Sequence, residues 1–280
     1  MNKQLTDFIE NALNEDLGDG DHSSIACIPE IATGKVQLRV KETGILAGMD
    51  IALEIFKYVE PNIKIDRFLK DGMTVKPGDI AFSVEGKVRT LLKTERLILN
   101  VMQRMSGIAT RTRAYVDKLE GLKTKVLDTR KTTPGMRFLE KAAVKIGGGE
   151  NHRMGLYDMI MLKDNHIDFA GGIEKAIRAV QSYLKSIGKD LKIEVEVRNM
   201  EELKEVLRVG GIHRIMLDNF NTVTSKEAVK LINGAYEIES SGNITLETIR
   251  GYAETGVDFV SVGALTHHIK SLDLSLKAIE

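Results

Sequence analysis

This chain of 280 residues has little of three things, and each shortage excludes a class of protein. It contains one cysteine, Cys27. A lone cysteine cannot close a disulfide within the chain, excludes a cysteine-rich metal site and fits a reducing compartment, the cytoplasm. There is no surplus of either charge: 40 Lys+Arg balance 40 Asp+Glu. That removes the basic excess on which nucleic-acid binding rests. Long apolar runs are missing as well. None approaches the ~18 consecutive apolar residues of a membrane span. The opening MNKQLTDFIENALNEDLGDGD is acidic and amphipathic, without an apolar stretch of signal-peptide length. The histidines show no zinc-protease spacing. What remains is an ordinary soluble composition, 42% apolar and 29% charged. The length suits two small domains, or a barrel with an appendage.

The second half has a strand–helix beat. Short β-branched and apolar runs recur as TKVLD (124–128), DMIML (158–162), KIEVEV (192–197), HRIML (213–217), YEIE (236–239) and DFVSV (258–262). Helical patterns lie between most of them, at 173–187, 199–209, 224–233 and 245–255, and another follows at 267–279. Apolar strands alternating with amphipathic helices predict a parallel sheet buried on both faces. Glu196, Asp218, Ser240 and Val262 stand 22 residues apart without any residue-level repeat. The pattern is therefore a series of βα units and not a solenoid. Polar residues gather where these runs end, and in a parallel α/β barrel that edge carries the active site. The count of strands falls short of eight, so an incomplete barrel is expected.

The first half reads differently. Residues 1–16 and 49–59 are helical in pattern. Residues 34–48 and 63–86 read as antiparallel strands, with turns at Asp71-Gly72 and Pro77-Gly78. Residues 90–119 read as one long helix or two, with a break at Ser106-Gly107. The expected division is a small α+β domain at 1–112, a barrel at 113–266 and a closing helix at 267–280 that packs on the first domain.

Cations are unevenly placed within this balanced chain. Thr129 to Arg153 carries six Lys/Arg against two acidic residues. A solvated face is the usual fate of such a run. Arg130, Lys131 and Lys163, however, follow directly on buried-looking strands. Arg offers a planar fork for carboxylate or phosphate, and Lys a point charge. Both together suggest a ligand with more than one anionic group. Arg137, Lys141 and Lys145 fall on an apparent helix and are read as surface. Gly147-Gly148-Gly149 reads as a place where backbone approaches a ligand, next to His152 and Arg153. Glu196 and Asp218 are either salt-bridge partners of the lysines or carboxylates for ribose hydroxyls, Mg²⁺ or a cationic transition state. The turns at Ser241-Gly242-Asn243 and Gly263 follow the last two strands, where barrels commonly hold a phosphate. Thr245 and Thr266 are read as helix N-caps. His166 and His267 are candidates for the site, and His213 is read as structural.

The segments TERLILNVMQRMSGIATRT, DTRKTTPGMR, GGGENHRMGLYDMIMLKDNHI, IEVEV, IMLDNF, ESSGNIT and VGALTHH, with EDLGDGDHSSIA near the start, together resemble the quinolinate phosphoribosyltransferases. These enzymes are also called carboxylating nicotinate-nucleotide pyrophosphorylases. The resemblance runs in order through nearly the whole chain. It implies a fold: an N-terminal α+β open sandwich beside an incomplete, seven-stranded α/β barrel. It implies a reaction, in which quinolinate and phosphoribosyl pyrophosphate give nicotinate mononucleotide, pyrophosphate and CO₂ with Mg²⁺. It also implies a homodimer. By the same resemblance Arg130, His152, Arg153 and Lys163 face quinolinate, with Thr129 beside them and Arg104 contributed by the neighbouring subunit. Lys131, Glu196 and Asp218 serve ribose and pyrophosphate, and the two acids serve Mg²⁺. Ser241, Gly242, Asn243, Gly263 and His267 surround the 5′-phosphate. The catalytic set is then Lys131, Lys163, Glu196 and Asp218. Three rivals stand beside this reading. One is a fold relative with another acceptor, such as the molybdenum-transport-associated paralogue or nicotinate phosphoribosyltransferase. The others are a lyase forming a Schiff base on Lys131 or Lys163, and an anion-binding protein without activity.

Overall fold

The computed structural model describes residues 3–279. Elements are numbered in chain order. The first are α1 (Lys3–Leu17), α2 (His22–Cys27), β1 (Thr33–Val40), β2 (Gly44–Ile45), α3 (Met49–Val59), β3 (Lys64–Arg67), β4 (Thr74–Val75), β5 (Ile80–Lys87) and α4 (Val88–Asp117). There follow β6 (Lys125–Leu127), α5 (Arg137–Ile146), β7 (Ile160–Leu162), α6 (Asp164–Ala170), α7 (Ile173–Ile187), β8 (Ile193–Val197) and α8 (Met200–Val209). The last are β9 (Arg214–Asp218), α9 (Thr222–Ile232), β10 (Glu237–Ser241), α10 (Ile249–Ala253), β11 (Phe259–Ser261), α11 (Ala264–His267) and β12 (Leu274–Ile279). The chain divides into two compact units. One holds the described residues up to Arg113, Thr133–Gly148 and those from His268 on; the other holds Ala114–Thr132 and Gly149–His267.

The first unit is built on a four-stranded antiparallel sheet in the order β12-β1-β5-β3. Leu38, Val40, Phe82 and Val84 are buried on it. Phe56 of α3 meets Phe82 of β5 edge to face, with ring centroids 6.0 Å apart, the geometry that aromatic quadrupoles favour. Leu5, Ile9 and Leu13 give α1 a buried stripe at helical spacing. α4 runs unbroken through Ser106-Gly107, where the sequence suggests a break. Here glycine serves close packing: a Cβ on Gly107 would lie 2.3 Å from the Lys270 carbonyl oxygen. Ser106 Oγ beside it accepts the Ala47 N–H at 2.9 Å.

Three expectations are corrected in this unit. The C-terminal segment is a strand and not a helix, and β12 pairs antiparallel with β1 from Lys35↔Ile279 to Val40↔Leu274. Its apolar residues suit both periods; the buried pair Leu274 and Leu276 is two apart, the spacing of one strand face. Lys141 is not a surface residue: it and its neighbour Glu140 have no exposure. Within the glycine triplet Gly147 packs on α4, and none of the three lines either cavity at the barrel edge. A Cβ on Gly147 would lie 2.5 Å from the Ala109 carbonyl oxygen and 2.6 Å from Thr112 Cβ.

The second unit holds the parallel sheet. All six strand runs of the sequence form strands, in the order β6-β11-β10-β9-β8-β7. The last of them in the chain, β11, pairs with the first, β6, through Phe259↔Lys125, Val260↔Val126 and Ser261↔Leu127. That return is what curls a βα series into a barrel. On the other side of β6 a single parallel bridge joins Leu127 to Glu150. Glu150 thus occupies the seventh strand position, between β6 and β7 in chain order. Each βα step carries its own signals. Asn199 caps α8 by accepting the Glu202 N–H at 2.9 Å, and Asn221 caps α9 through Thr224 N–H at 2.9 Å. β8 is buried along its whole length. The expected helix at 245–255 shortens to α10, entered by a turn at Thr245–Thr248.

Candidate functional site

Neighbouring residues of a barrel strand face in opposite directions, and parallel register carries one orientation across the sheet. Val195 pairs with Ile215, Ile215 with Ile238, and Ser240 with Val260. These face the helices. The inward set at the C-terminal edge is therefore Lys163, Glu196, Asp218, Ser241 and Gly263. One step down it is Met161, Glu194, Met216, Glu239 and Ser261. Strand alternation alone thus converts five separated motifs into one ring.

Two adjoining cavities open at this edge. One, of about 310 Å³, is lined by Arg130, His152 and Arg153, with Met161 and Met216 as apolar walls. The other, of about 530 Å³, is lined by Glu196, Asp218, Gly242, Asn243, Gly263 and His267, among others. Thr129, Lys131, Lys163, Ser241 and Ser261 line both. Every site residue expected from the sequence thus reaches one cavity or both, except Arg104 and the candidate His166. Arg104 stands on α4 in the first unit, where its guanidinium donates to Glu140 Oε1 at 2.7 Å and to Thr133 Oγ1 at 2.7 Å.

The polar contacts are specific. Lys163 Nζ donates to Glu196 Oε2 at 3.0 Å, so the salt-bridge reading of this pair holds. Asp218 accepts from Asn219 Nδ2 at 2.9 Å. Burial, and after it the charge of Arg130, push the Arg153 pKa down from its ordinary range. Two cations held this close repel, and an anion between them would relieve the repulsion. Thr129 Oγ1 accepts the Lys131 N–H at 3.0 Å. Thr266 is not an N-cap: it lies within α11 and donates Oγ1 to the Lys131 carbonyl at 2.7 Å, tying the loop after β6 to the turn after β11. Thr245 likewise caps no helix with its side chain; its N–H donates to Thr248 Oγ1 at 2.9 Å.

The second cavity is shaped by backbone. Gly242 has φ +100°, and a Cβ there would lie 2.2 Å from Asn219 Oδ1. Asn219 and Asn243 are both left-handed, at φ 55° and 50°, and Asn243 Nδ2 donates to Asn219 Oδ1 at 3.2 Å. A Cβ on Gly263 would meet His267 Nε2 at 2.7 Å. Turns of this kind leave backbone N–H groups accessible to an anion. His166 lines neither cavity, and its Nδ1 accepts the Lys163 N–H at 3.1 Å at the start of α6. His213 is structural, accepting the Ile193 N–H at 2.9 Å.

Sequence reasoning missed four residues that support the site. Asp128 is fully buried and accepts the His152 N–H at 2.8 Å. Glu194, Arg214 and Glu239 lie in the barrel interior, the two glutamates without exposure. The signal for Glu194 was present: two glutamates two apart, in a strand otherwise made of Ile and Val, share the inward face.

The comparisons with known proteins point one way. A family model described as quinolinate phosphoribosyl transferase, C-terminal domain, matches residues 108–277, and its N-terminal counterpart matches residues 21–106. "Quinolinate phosphoribosyltransferase [decarboxylating] 1" of Nicotiana glauca is 46% identical, over 98% of this chain and 82% of its own length. The "probable nicotinate-nucleotide pyrophosphorylase [carboxylating]" of Bacillus subtilis is 41% identical over 98% and 93%. The crystal structure of NadC from Streptococcus pyogenes superposes with a TM-score of 0.92 at 40% identity, covering 99% of this chain and 98% of that one. With both family domains matched in order, and with the strand-end motifs of the second unit on one barrel edge, the chain belongs to the quinolinate phosphoribosyl transferase family.

Proposed function

We propose that this protein transfers the phosphoribosyl group of phosphoribosyl pyrophosphate to quinolinate, with release of pyrophosphate and CO₂, to give nicotinate mononucleotide for NAD synthesis. The observation that carries this reading is the pair of adjoining cavities. A cationic one sized for a small aromatic diacid opens beside a larger one lined by the carboxylates of Glu196 and Asp218 and by glycine turns. Lys131 and Lys163 stand at the junction.

The chemistry follows from this placement. Arg130, Arg153 and His152 receive the two carboxylates of quinolinate, Arg by its planar fork. The turns at Gly242-Asn243 and Gly263 receive the 5′-phosphate. Departure of pyrophosphate leaves oxocarbenium character on C1′, which the fixed carboxylates of Glu196 and Asp218 stabilise. The pyridine nitrogen then forms the bond to C1′ and becomes cationic. That charge stabilises the carbanion formed as the adjacent carboxylate leaves as CO₂, and the carbanion takes up a proton. Orientation of two bound reactants accounts for much of the acceleration. Glu196 and Asp218 suit Mg²⁺, which takes one or two protein carboxylates together with waters and substrate phosphates. When bound, it supplies charge neutralisation for the leaving pyrophosphate. Lys163 holds Glu196 in place. In this reading the protein works as a homodimer, with Arg104 serving a neighbouring copy. Its single cysteine suits the cytoplasm, and no helix among the described residues is long and apolar enough to cross a membrane.

Acceptor choice tests the reading. Quinolinate, nicotinate and other pyridine carboxylates are offered in turn with phosphoribosyl pyrophosphate and Mg²⁺. Pyrophosphate release is expected with quinolinate alone. Equal release with nicotinate would contradict it, and borohydride trapping of a substrate on Lys131 or Lys163 would point to a lyase.

A further inference from the structure

Below the ring of site residues the barrel interior holds a buried charged cluster. Glu194 on β8 and Glu239 on β10 have no exposure. Arg214 lies between them on β9, in register with Glu194. Its Nη1 donates to Glu239 Oε2 at 3.0 Å, its Nη2 to Glu237 Oε2 at 3.0 Å, and its guanidinium lies 4.1 Å over the Phe259 ring. His152 reaches down into this cluster. Its Nε2 stands 2.9 Å from Glu194 Oε2 and 3.4 Å from Glu239 Oε2.

Stability does not explain such a cluster. Apolar residues of similar volume in place of buried ion pairs are commonly neutral or stabilising, and barrel interiors are ordinarily filled with Val, Ile and Leu. What the cluster does control is one ring. The His152 backbone N–H is fixed by Asp128 Oδ1 at 2.8 Å. Its Nε2 edge stands at ion-pair distance from the two carboxylates. Its Nδ1 accepts the Arg153 N–H at 2.7 Å. The orientation of the ring therefore sets the peptide of Arg153, whose Nη1 donates in turn to the Met159 carbonyl at 3.2 Å.

We infer that Glu194 and Glu239, with Arg214 behind them, are positioning residues that lock the His152 imidazole in its Nε2–H form and thereby orient His152 and Arg153 toward the acceptor's carboxylates. This rests on the reading of the smaller cavity as the acceptor pocket. Because Nδ1 is occupied as an acceptor, the proton the carboxylates attract lies on the Nε2–Glu194 side.

The test pairs Glu194→Met, which removes the acceptor oxygen, with Glu194→Gln, which keeps one. Glu194→Met is expected to raise the acceptor KM about tenfold, the value of one lost hydrogen bond to a charged group. The KM for phosphoribosyl pyrophosphate should stay within about twofold on the same grounds. Glu194→Gln should restore most of the acceptor KM. An unchanged acceptor KM in Glu194→Met, or equal effects on both substrates in the two variants, would overturn the inference. A second arm needs neither variant nor turnover. In ¹⁵N NMR of the unmodified, ligand-free protein, His152 should show a protonated Nε2 and a bare Nδ1. The opposite tautomer, or a protonated Nδ1, would overturn the proposal whatever the acceptor proves to be. Loss of turnover on every acceptor with the expected tautomer would instead count against the functional reading alone.

Discussion

At the scale of single residues, the two lysines at the junction carry the sharpest expectations. Lys163 is bonded to Glu196 but its side chain remains nearly half exposed, so its removal disturbs little packing. Lys131→Ala and Lys163→Ala should each lower turnover by about 10²-fold or more, as loss of a preorganised charge at a transition state does. Thermal midpoints should move by only a few degrees, on the order expected for a surface change. Near-normal turnover in both would remove these residues from the catalytic set. Gly242→Ala tests the other cavity. A side chain there needs φ +100° and meets Asn219 Oδ1 at 2.2 Å. The substitution should cost about 1–3 kcal/mol in strain and raise the KM for phosphoribosyl pyrophosphate more than that for the acceptor. Equal KM values with wild-type stability would contradict the cradle. Most site residues were legible in the sequence because strand-end polarity is a local signal. Asp128, Arg214 and Glu239 were not. Their meaning depends on which interior groups they meet, and pairing across strands is not written locally.

At the scale of elements, the strand–helix beat transferred well because each βα unit carries its own start and stop. α7, for example, spans Ile173–Ile187, as its apolar spacing predicts, and ends at the left-handed Gly188. The C-terminal segment was misread because its alternation is short and its apolar spacing also fits a helix. Its partner strand lies more than two hundred residues earlier in the chain. The consequence is testable. Leu274 and Leu276 are 3% and 6% exposed, and burying each contributes about 1.5–3 kcal/mol. A chain ending at Asp273 loses both and leaves β1 with an unpaired edge. It should melt well below the full chain and aggregate on heating; an unchanged melting curve would contradict the role of β12 in the sheet. Gly107 illustrates the reverse error. A glycine that reads as a helix break is a point where helix and chain touch, since a Cβ there would lie 2.3 Å from the Lys270 carbonyl oxygen.

At the scale of the whole molecule, a chain with no net charge places Arg130, Lys131, Arg153 and Lys163 together at one barrel edge. The balanced total argued against nucleic acid, and the local excess argued for a small polyanion. The closure of the sheet by β11 on β6 was legible only as an expectation of the fold class, since no short motif encodes a pairing between the first and last strands. The proposed Mg²⁺ requirement concerns the molecule as a working unit. Chelation should abolish turnover and added Mg²⁺ should restore it; turnover that survives chelation would remove the ion from the account. The central claim is tested most directly by following both products at once. Quinolinate labelled in its 2-carboxylate is incubated with phosphoribosyl pyrophosphate, Mg²⁺ and the purified protein. The account predicts labelled CO₂ and nicotinate mononucleotide in equal amounts, each dependent on every component. Mononucleotide without CO₂, or neither product while quinolinate binds, would contradict it.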